Sequence, residues 1–315
     1  MRKLRIFEQT LRDGLGSYPP VPPDIKAELT RRLIEAKIDY LEVMRFPTTE
    51  DRPQFREAKA IFDAVAPYRH QATIASFAVD QAGINEALHY ASSFDELHIP
   101  SFASNAYGAF ALQEDWATSL QRIQGAFHAC ELAGVRLTVG LGTSFGCPID
   151  RSHQPTVTAS RVRDIVSIGV RTVMLGDTAG QATPAIVRAV LSEIAASCSP
   201  EIIRVHFHDT FGRALLNTWQ AIELGIEAVD SSLLGLGGEP YPYFRMPEWV
   251  NNGNCATEAL VSALIQEYGD VSKYSLDKLN ETARWLFQHI QGTVFGRASF
   301  ADLIPIPAEE NDEIP

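Results

Sequence analysis

A single closed (β/α)8 TIM barrel, an α/β fold, is the architecture this sequence predicts, and three observations predict it. Short β-branched or apolar runs alternate with longer segments of helical period. Eight such pairs fill about 270 residues, the tally of a closed parallel barrel rather than an open sheet. Polar and ionisable residues gather at one end of the strand-like runs, which is where a barrel builds its active site.

The first unit joins a strand at 4–7 to a helix at 23–36, and the second a strand at 40–43 to a helix at 54–65. Units three and four pair 72–75 with 82–91 and 97–99 with 115–133. The next three pair 136–139 with 157–168, 172–175 with 184–196, and 203–207 with 214–224. The last strand, 228–231, precedes a helix beginning near Ala256. Thr183-Pro184 places a capping oxygen before a first-turn proline, and Gly134 and Gly169 end their helices. An extra C-terminal amphipathic helix is expected at 275–291, and the acidic, proline-rich 304–315 (IPIPAEENDEIP) reads as a short flexible tail. Residues 1–303 thus form one domain.

The 315-residue chain carries 27 basic against 39 acidic side chains, a net charge of -12. Such a surface repels phosphate backbones and anionic lipid, so neither nucleic acid nor a membrane is an expected partner. Cys130, Cys147, Cys198 and Cys255 form no CxxC pair, and a chain this long needs no disulfide staples. The N-terminal MRKLR runs into a strand rather than a signal sequence, and no apolar run reaches the roughly 18 residues of a membrane span. A cytoplasmic protein is expected, and barrel habit adds the expectation of a homodimer.

The strand ends carry the chemistry. Strand 1 runs into Glu8-Gln9-Thr10-Leu11-Arg12-Asp13-Gly14, strand 2 into Glu42-Val43-Met44-Arg45, strand 6 into Gly176-Asp177-Thr178, and strand 7 into His206-Phe207-His208-Asp209. After strand 8 a glycine-rich loop, 235–238, leads to Gly253-Asn254. Period 2 sends His206 and His208 to one face, which in a barrel can be the interior. Strands 1 and 7 both neighbour strand 8, so Asp13 can reach the same point and make a half-open metal site. Arg12 is read as the group that stabilises a developing oxyanion, or as a plain partner of Asp13 or Glu42. Glu42 is read as its orienting partner. Asp177 either caps the helix opening near Thr183 or supports the metal site. His98 is a further pocket candidate.

EQTLRDG, GDTAGQATP, VHFHDTFGRALLNT, VDSSLLGLGG and GNCATEAL resemble the DRE-TIM metallolyase superfamily, and within it most the 3-hydroxy-3-methylglutaryl-CoA lyases. The similarity runs from about residue 4 to about residue 290. It implies a divalent metal, Mg2+ or Mn2+, on Asp13, His206, His208 and Asn254, with Arg12 catalytic and Glu42 holding it. It also implies retro-Claisen or retro-aldol cleavage through an enolate, with a coenzyme A thioester or a free hydroxy acid as substrate.

Three stretches depart from the lyase pattern. Glu239 stands where the lyase loop GLGGCPYA has its catalytic cysteine, in a loop that is longer and holds Tyr241, Tyr243, Phe244, Arg245 and Trp249. Glu239 is read either as the replacement acid or base, or as a solvated loop residue. LRDGLGS lacks the glutamine of the lyases' RDGLQ, and Met44-Arg45 replace small residues. The expected function is therefore a metal-dependent carbon–carbon lyase or aldolase whose substrate is not 3-hydroxy-3-methylglutaryl-CoA. The alternatives are a condensing synthase of the isopropylmalate or homocitrate type and a catalytically silent binding barrel.

Overall fold

The computed structural model describes residues 4–16, 18–48, 53–151, 154–238, 252–269 and 273–290, with two short strands at Phe244–Arg245 and Ile304–Pro305. Eight parallel strands close in sequential order. They are β1 (Arg5–Glu8), β2 (Tyr40–Phe46), β3 (Thr73–Ala78), β4 (Glu96–Phe102), β5 (Arg136–Gly142), β6 (Thr172–Asp177), β7 (Ile203–Phe207) and β8 (Ala228–Ser231). The barrel seals where β1 pairs with β8, from Arg5 beside Ala228 to Glu8 beside Ser231.

Around it lie α1 (Pro23–Glu35), α2 (Ala58–Val65), α3 (Gln81–Leu88), α4 (Asn105–Ala111), α5 (Trp116–Ala133), α6 (Pro155–Ile168), α7 (Pro184–Ala195), α8 (Ala214–Glu223) and α9 (Thr257–Tyr268). The additional α10 (Leu276–His289) packs against α1 and α9. The expected caps form: Thr183 accepts the Ile186 N–H, and Gly134 and Gly169 end α5 and α6 with φ of 70° and 114°. No helix of the described residues is long and apolar enough to cross a membrane. Of the expected tail, Ile304–Pro305 pairs antiparallel with Phe244–Arg245, and the rest lies outside the described residues.

Three departures from the expected outline shape the mouth of the barrel. β2, β3, β4 and β6 continue beyond their apolar runs to take in Arg45, Ser76, Ser101 and Asp177. In β2 the register slips between Glu42 and Met44. That bulge lets Glu42 and Arg45, three apart, both turn to the barrel side of the strand, whereas period 2 in a regular strand sends such a pair to opposite faces. Finally, residues Thr10–Gly14 form one widened helical turn, with Gly14 N–H bonding Gln9 O at 2.9 Å and Leu15 N–H bonding Thr10 O at 2.8 Å.

The barrel interior is charged. Arg204, on the inward face of β7 two residues before His206, is fully buried. Its guanidinium lies 2.9 Å from Asp230 of β8 and donates to Tyr40 Oη of β2 at 3.1 Å. Glu96 of β4 and Glu42 of β2 lie 3.6 and 4.0 Å away, and the Phe7 ring of β1 sits 4.8 Å below the cation. Burial opposes that charge, and Asp230, Tyr40, Glu96 and Glu42 together more than offset it. Truncating such a cation leaves buried carboxylates without their partner. Arg204→Met should therefore lose about 3–5 kcal/mol of stability, read from urea denaturation.

Glu8, at the end of β1, anchors the widened turn. Its carboxyl accepts the Thr10 N–H at 3.0 Å, the Thr10 hydroxyl, and the Thr257 hydroxyl of α9 at 2.6 Å. Burial pushes this carboxyl from 4.5 up to about 7, although those three donors pull it down. Between those two pH values the folded protein holds a proton that the unfolded chain has released, so stability falls as pH rises through the window. Glu8→Gln should flatten that slope, by up to about 3 kcal/mol across it, in unfolding free energies measured from pH 4 to pH 8.

Candidate active site

The turn held by Glu8 delivers Arg12 and Asp13 to the mouth of the barrel. Arg12 Nε donates to Glu42, its NH1 to Asp13 Oδ1 at 2.7 Å and its NH2 to Gln9 Oε1 at 3.2 Å. The guanidinium plane also lies 4.5 Å from the Phe77 ring. Glu42, fully buried, uses its second oxygen to meet His98 Nδ1 at 3.0 Å. Burial would raise the Glu42 carboxyl, yet Arg12 first, then His98 and Arg204, hold it well below the usual carboxylate range. Arg12 is thus a cation with its orientation fixed on three sides.

His206, His208 and Asp13 converge: one ligand atom from each lies within 4.8 Å of the others. The two Nε2 atoms stand 3.2 Å apart, and each ring is oriented through its other nitrogen. His206 Nδ1 meets Asp230 Oδ2 at 3.0 Å, and His208 Nδ1 meets the carbonyls of Asn252 and Gly253, both at 3.0 Å. Donating outward in this way leaves both Nε2 lone pairs aimed at one point. Burial, then the neighbouring His206, brings His208 down to about 4, against the pull of Asp13, so the ring is a neutral ligand near pH 7. For Asp13, burial is outweighed by Arg12, His208 and His206, and its carboxyl falls to about 2.

Asn254 stands beside them, next to His208 across an isolated backbone bridge. Its amide nitrogen donates to Asp13 Oδ2 at 2.6 Å and to Leu236 O at 2.9 Å, while its Oδ1 is buried with no hydrogen-bond partner. The oxygen expected on the metal is thus turned away from Asp13, and rotation about Cβ–Cγ exchanges the two atoms. Gly237, at φ 149°, makes room for this cluster: a Cβ there would collide with the Asn254 side chain and lie 2.9 Å from Asp13 Oδ2. Two imidazole lone pairs, a carboxylate and an orphaned amide oxygen suit a divalent cation that accepts nitrogen and oxygen donors. The interior charge agrees, because Asp13, Glu42 and Asp230 outnumber Arg12 and Arg204.

Asp177 is fully buried, and both its oxygens accept the Ala182 N–H just before α7, at 3.2 and 3.1 Å, while Thr183 supplies the cap. Burial raises it to about 7, with the Ala182 and Gln181 amides pulling the other way. Arg45 lines the cavity above Asp13 and His208, which measures about 340 Å3. Cys255 is buried, and burial pushes its thiol up to about 12, as packing requires. Glu239, Tyr241, Tyr243 and Trp249 lie outside the described residues. Asp230 and Arg204 were not singled out by the sequence, although Arg204-Val205-His206-Phe207-His208 carries the period-2 signal that joins Arg204 to the histidines.

The family model HMGL-like matches residues 3–286. The mitochondrial hydroxymethylglutaryl-CoA lyase of Rattus norvegicus is 28% identical over 288 residues, covering 91% of this chain and 86% of the rat protein. A 3-hydroxy-3-isohexenylglutaryl-CoA/hydroxy-methylglutaryl-CoA lyase of Pseudomonas aeruginosa is 32% identical over 241 residues, covering 76% of this chain and 79% of its own. Among solved structures, the hydroxymethylglutaryl-CoA lyase of Pseudomonas aeruginosa superposes with a TM-score of 0.84 at 28% identity, covering 95% of this chain and 97% of that one. An HMG-CoA lyase of A. baumannii, in complex with coenzyme A and 3-methylmalate, superposes with a TM-score of 0.80 at 27% identity, covering 96% and 98%. With a family match spanning nearly the whole barrel, the chain belongs to the HMGL-like family of the DRE-TIM superfamily.

Proposed function

We propose that the protein is a divalent-metal-dependent carbon–carbon lyase that cleaves a 3-hydroxy acid, as the coenzyme A thioester or the free acid, and that its substrate differs from 3-hydroxy-3-methylglutaryl-CoA. The observation that carries the reading is the meeting of Asp13, His206 and His208 within 4.8 Å, beside an Arg12 held by Glu42. Thioester use is supported by the coenzyme A in the related A. baumannii complex. The different substrate is supported by Arg45 on the cavity wall and by Gly16, also on that wall, where the lyases carry glutamine.

Asp13, His206 and His208, with Asn254 once its amide turns, would hold Mg2+ or Mn2+, which when bound polarises the substrate hydroxyl and carbonyl as a Lewis acid. Arg12 presents a fixed positive charge to the oxygen on which the enolate charge develops. It needs no reorganisation there, because Glu42, Asp13 and Gln9 already orient it. A base takes the hydroxyl proton, the bond between the hydroxyl carbon and its neighbour breaks, and the hydroxyl carbon becomes a carbonyl. The electron pair stays as the enolate, which an acid then protonates. Glu239 takes the acid–base role in this proposal, at the position of the family's cysteine. Asp177, holding the turn before α7, supports the site from behind.

Metal-stripped protein reloaded with Mn2+ should cleave a member of a panel of 3-hydroxy acids and their coenzyme A esters. His206→Ala should lose Mn2+ binding by 100-fold or more in titrations followed by electron paramagnetic resonance, and Asp230→Asn by about 10–100-fold. A His206→Ala protein that binds the ion as wild type does would remove the assignment. On the substrate so found, Arg12→Lys should lower kcat by about 10²–10³-fold and Glu239→Gln by about 10²–10⁴-fold. Undiminished turnover in the glutamine variant would make Glu239 a loop residue.

A further inference from the structure

His98 takes no part in the reaction as described, yet it fills a place in the barrel interior. Period 2 along β4 turns Glu96, His98 and Pro100 inward, towards Arg204, Glu42 and the cavity respectively. The imidazole ends up 1% exposed. A buried ring of this kind costs free energy unless its nitrogens are paired. Nδ1 meets Glu42 Oε2 at 3.0 Å, whereas Nε2 has no hydrogen-bond partner among the described residues.

The next strand makes room for the ring. A Cβ on Gly140 of β5 would lie 2.3 Å from His98 Nε2 and 3.2 Å from Met174 Cε, so any side chain there would displace the imidazole. The ring also stands edge-on to Phe77, at 5.0 Å and 83°. Burial holds His98 below its ordinary value of 6.5, against the pull of Glu42, so the ring is neutral near pH 7. The Glu42 carboxylate can only accept, which selects the tautomer with the proton on Nδ1.

That proton matters because Glu42 lies between two guanidiniums. Its Oε1 accepts from Arg12 Nε at the mouth, and its Oε2 stands 4.0 Å from Arg204 in the interior. Arg204 NH2 also comes within 3.5 Å of His98 Nδ1, so the imidazole sits where the interior cation would otherwise close on the carboxylate. Without a donor at Nδ1, Oε2 would be a buried carboxylate oxygen with no hydrogen bond, and the cation left to satisfy it is Arg204. A shift of about 1 Å brings that pair to hydrogen-bond distance. The same shift draws Oε1 away from Arg12.

We propose that His98 is a positioning residue: its Nδ1–H holds the Glu42 carboxylate on the Arg12 side of the interior and so fixes the guanidinium at the barrel mouth. What Arg12 does once held rests on the lyase reading; how it is held rests on the interior contacts alone. Packing and hydrogen bonding make opposite demands at this position. Leucine keeps most of the volume and loses the donor, whereas asparagine loses volume and keeps an amide N–H where Nδ1 stands.

The test is run on the full chain at about pH 7, without metal or substrate. It reads solvent exchange of the Arg12 Nε–H by 1H–15N spectroscopy, the signal being the one that Arg12→Lys removes. In the wild-type protein that proton is protected by its bond to Glu42. His98→Leu should speed its exchange by about 10–100-fold, the usual contribution of a hydrogen bond to a charged group, and His98→Asn should stay within about threefold of wild type. Gly140→Ala should also speed it, by pushing the imidazole off Glu42, and should cease to do so in the His98→Asn background, where no ring is in the way. That pair gives the answer should the leucine variant fail to fold. An unprotected proton in the wild-type protein, wild-type exchange in His98→Leu, or equal exchange in the leucine and asparagine variants overturns the proposal. So does a Gly140→Ala variant that leaves exchange unchanged or keeps its effect in the His98→Asn background. Failure of the lyase reading shows elsewhere, as no cleavage across the panel of hydroxy acids and their esters, and leaves these exchange rates as they are.

Discussion

One guanidinium inside the barrel organises the rest. Arg204 touches groups from β1, β2, β4 and β8 while standing on β7, so five strands meet on a single cation. Its partners are also the supports of the site. Asp230 divides its two oxygens between Arg204 and His206, and Glu42 lies between Arg204, His98 and Arg12. The ion pairs that close the interior therefore set the angles of both His206 and Arg12. Buried charges are weak sources of stability but strong sources of geometry when every partner is itself constrained.

From that centre two chains of contacts reach the mouth. Through Asp230, His206 is held with Nε2 outward, beside a His208 fixed by the backbone carbonyls of Asn252 and Gly253. Through Glu42, Arg12 is held over Phe77 and against Asp13. With both Nδ1 atoms turned to acceptors, the two Nε2 atoms stand 3.2 Å apart and face one cation position. An ion that binds the folded chain alone would add to its stability.

The strand cores were legible because buried parallel strands read as near-continuous apolar runs, and all eight lie where the alternation placed them. Their ends were not, because Phe46, Ser101 and Asp177 belong to strands that extend into residues a pattern reader takes for loop. The convergence of His206 and His208 followed from period 2, and Arg204 obeys the same rule. A lone arginine in a strand nevertheless reads, by itself, as solvent-facing. Nothing local announces that Asp230 will meet it, since that pairing exists only once β7 and β8 lie side by side. α4, with seven residues, is too short to show a period, and the widened turn at 10–14 looks in sequence like any polar loop. The amide of Asn254 could be placed near the metal by resemblance, whereas its present orientation is set by Asp13 and Leu236.

The slipped register in β2 has a consequence for how such a site can diverge. Because one extra residue separates Glu42 from the positions that follow, the strand serves two masters: it anchors the arginine in the interior and lends Arg45 to the rim. Changes at the rim then leave the anchor undisturbed. A lineage can exchange one ligand for another by altering Arg45, while the machinery beneath keeps its alignment.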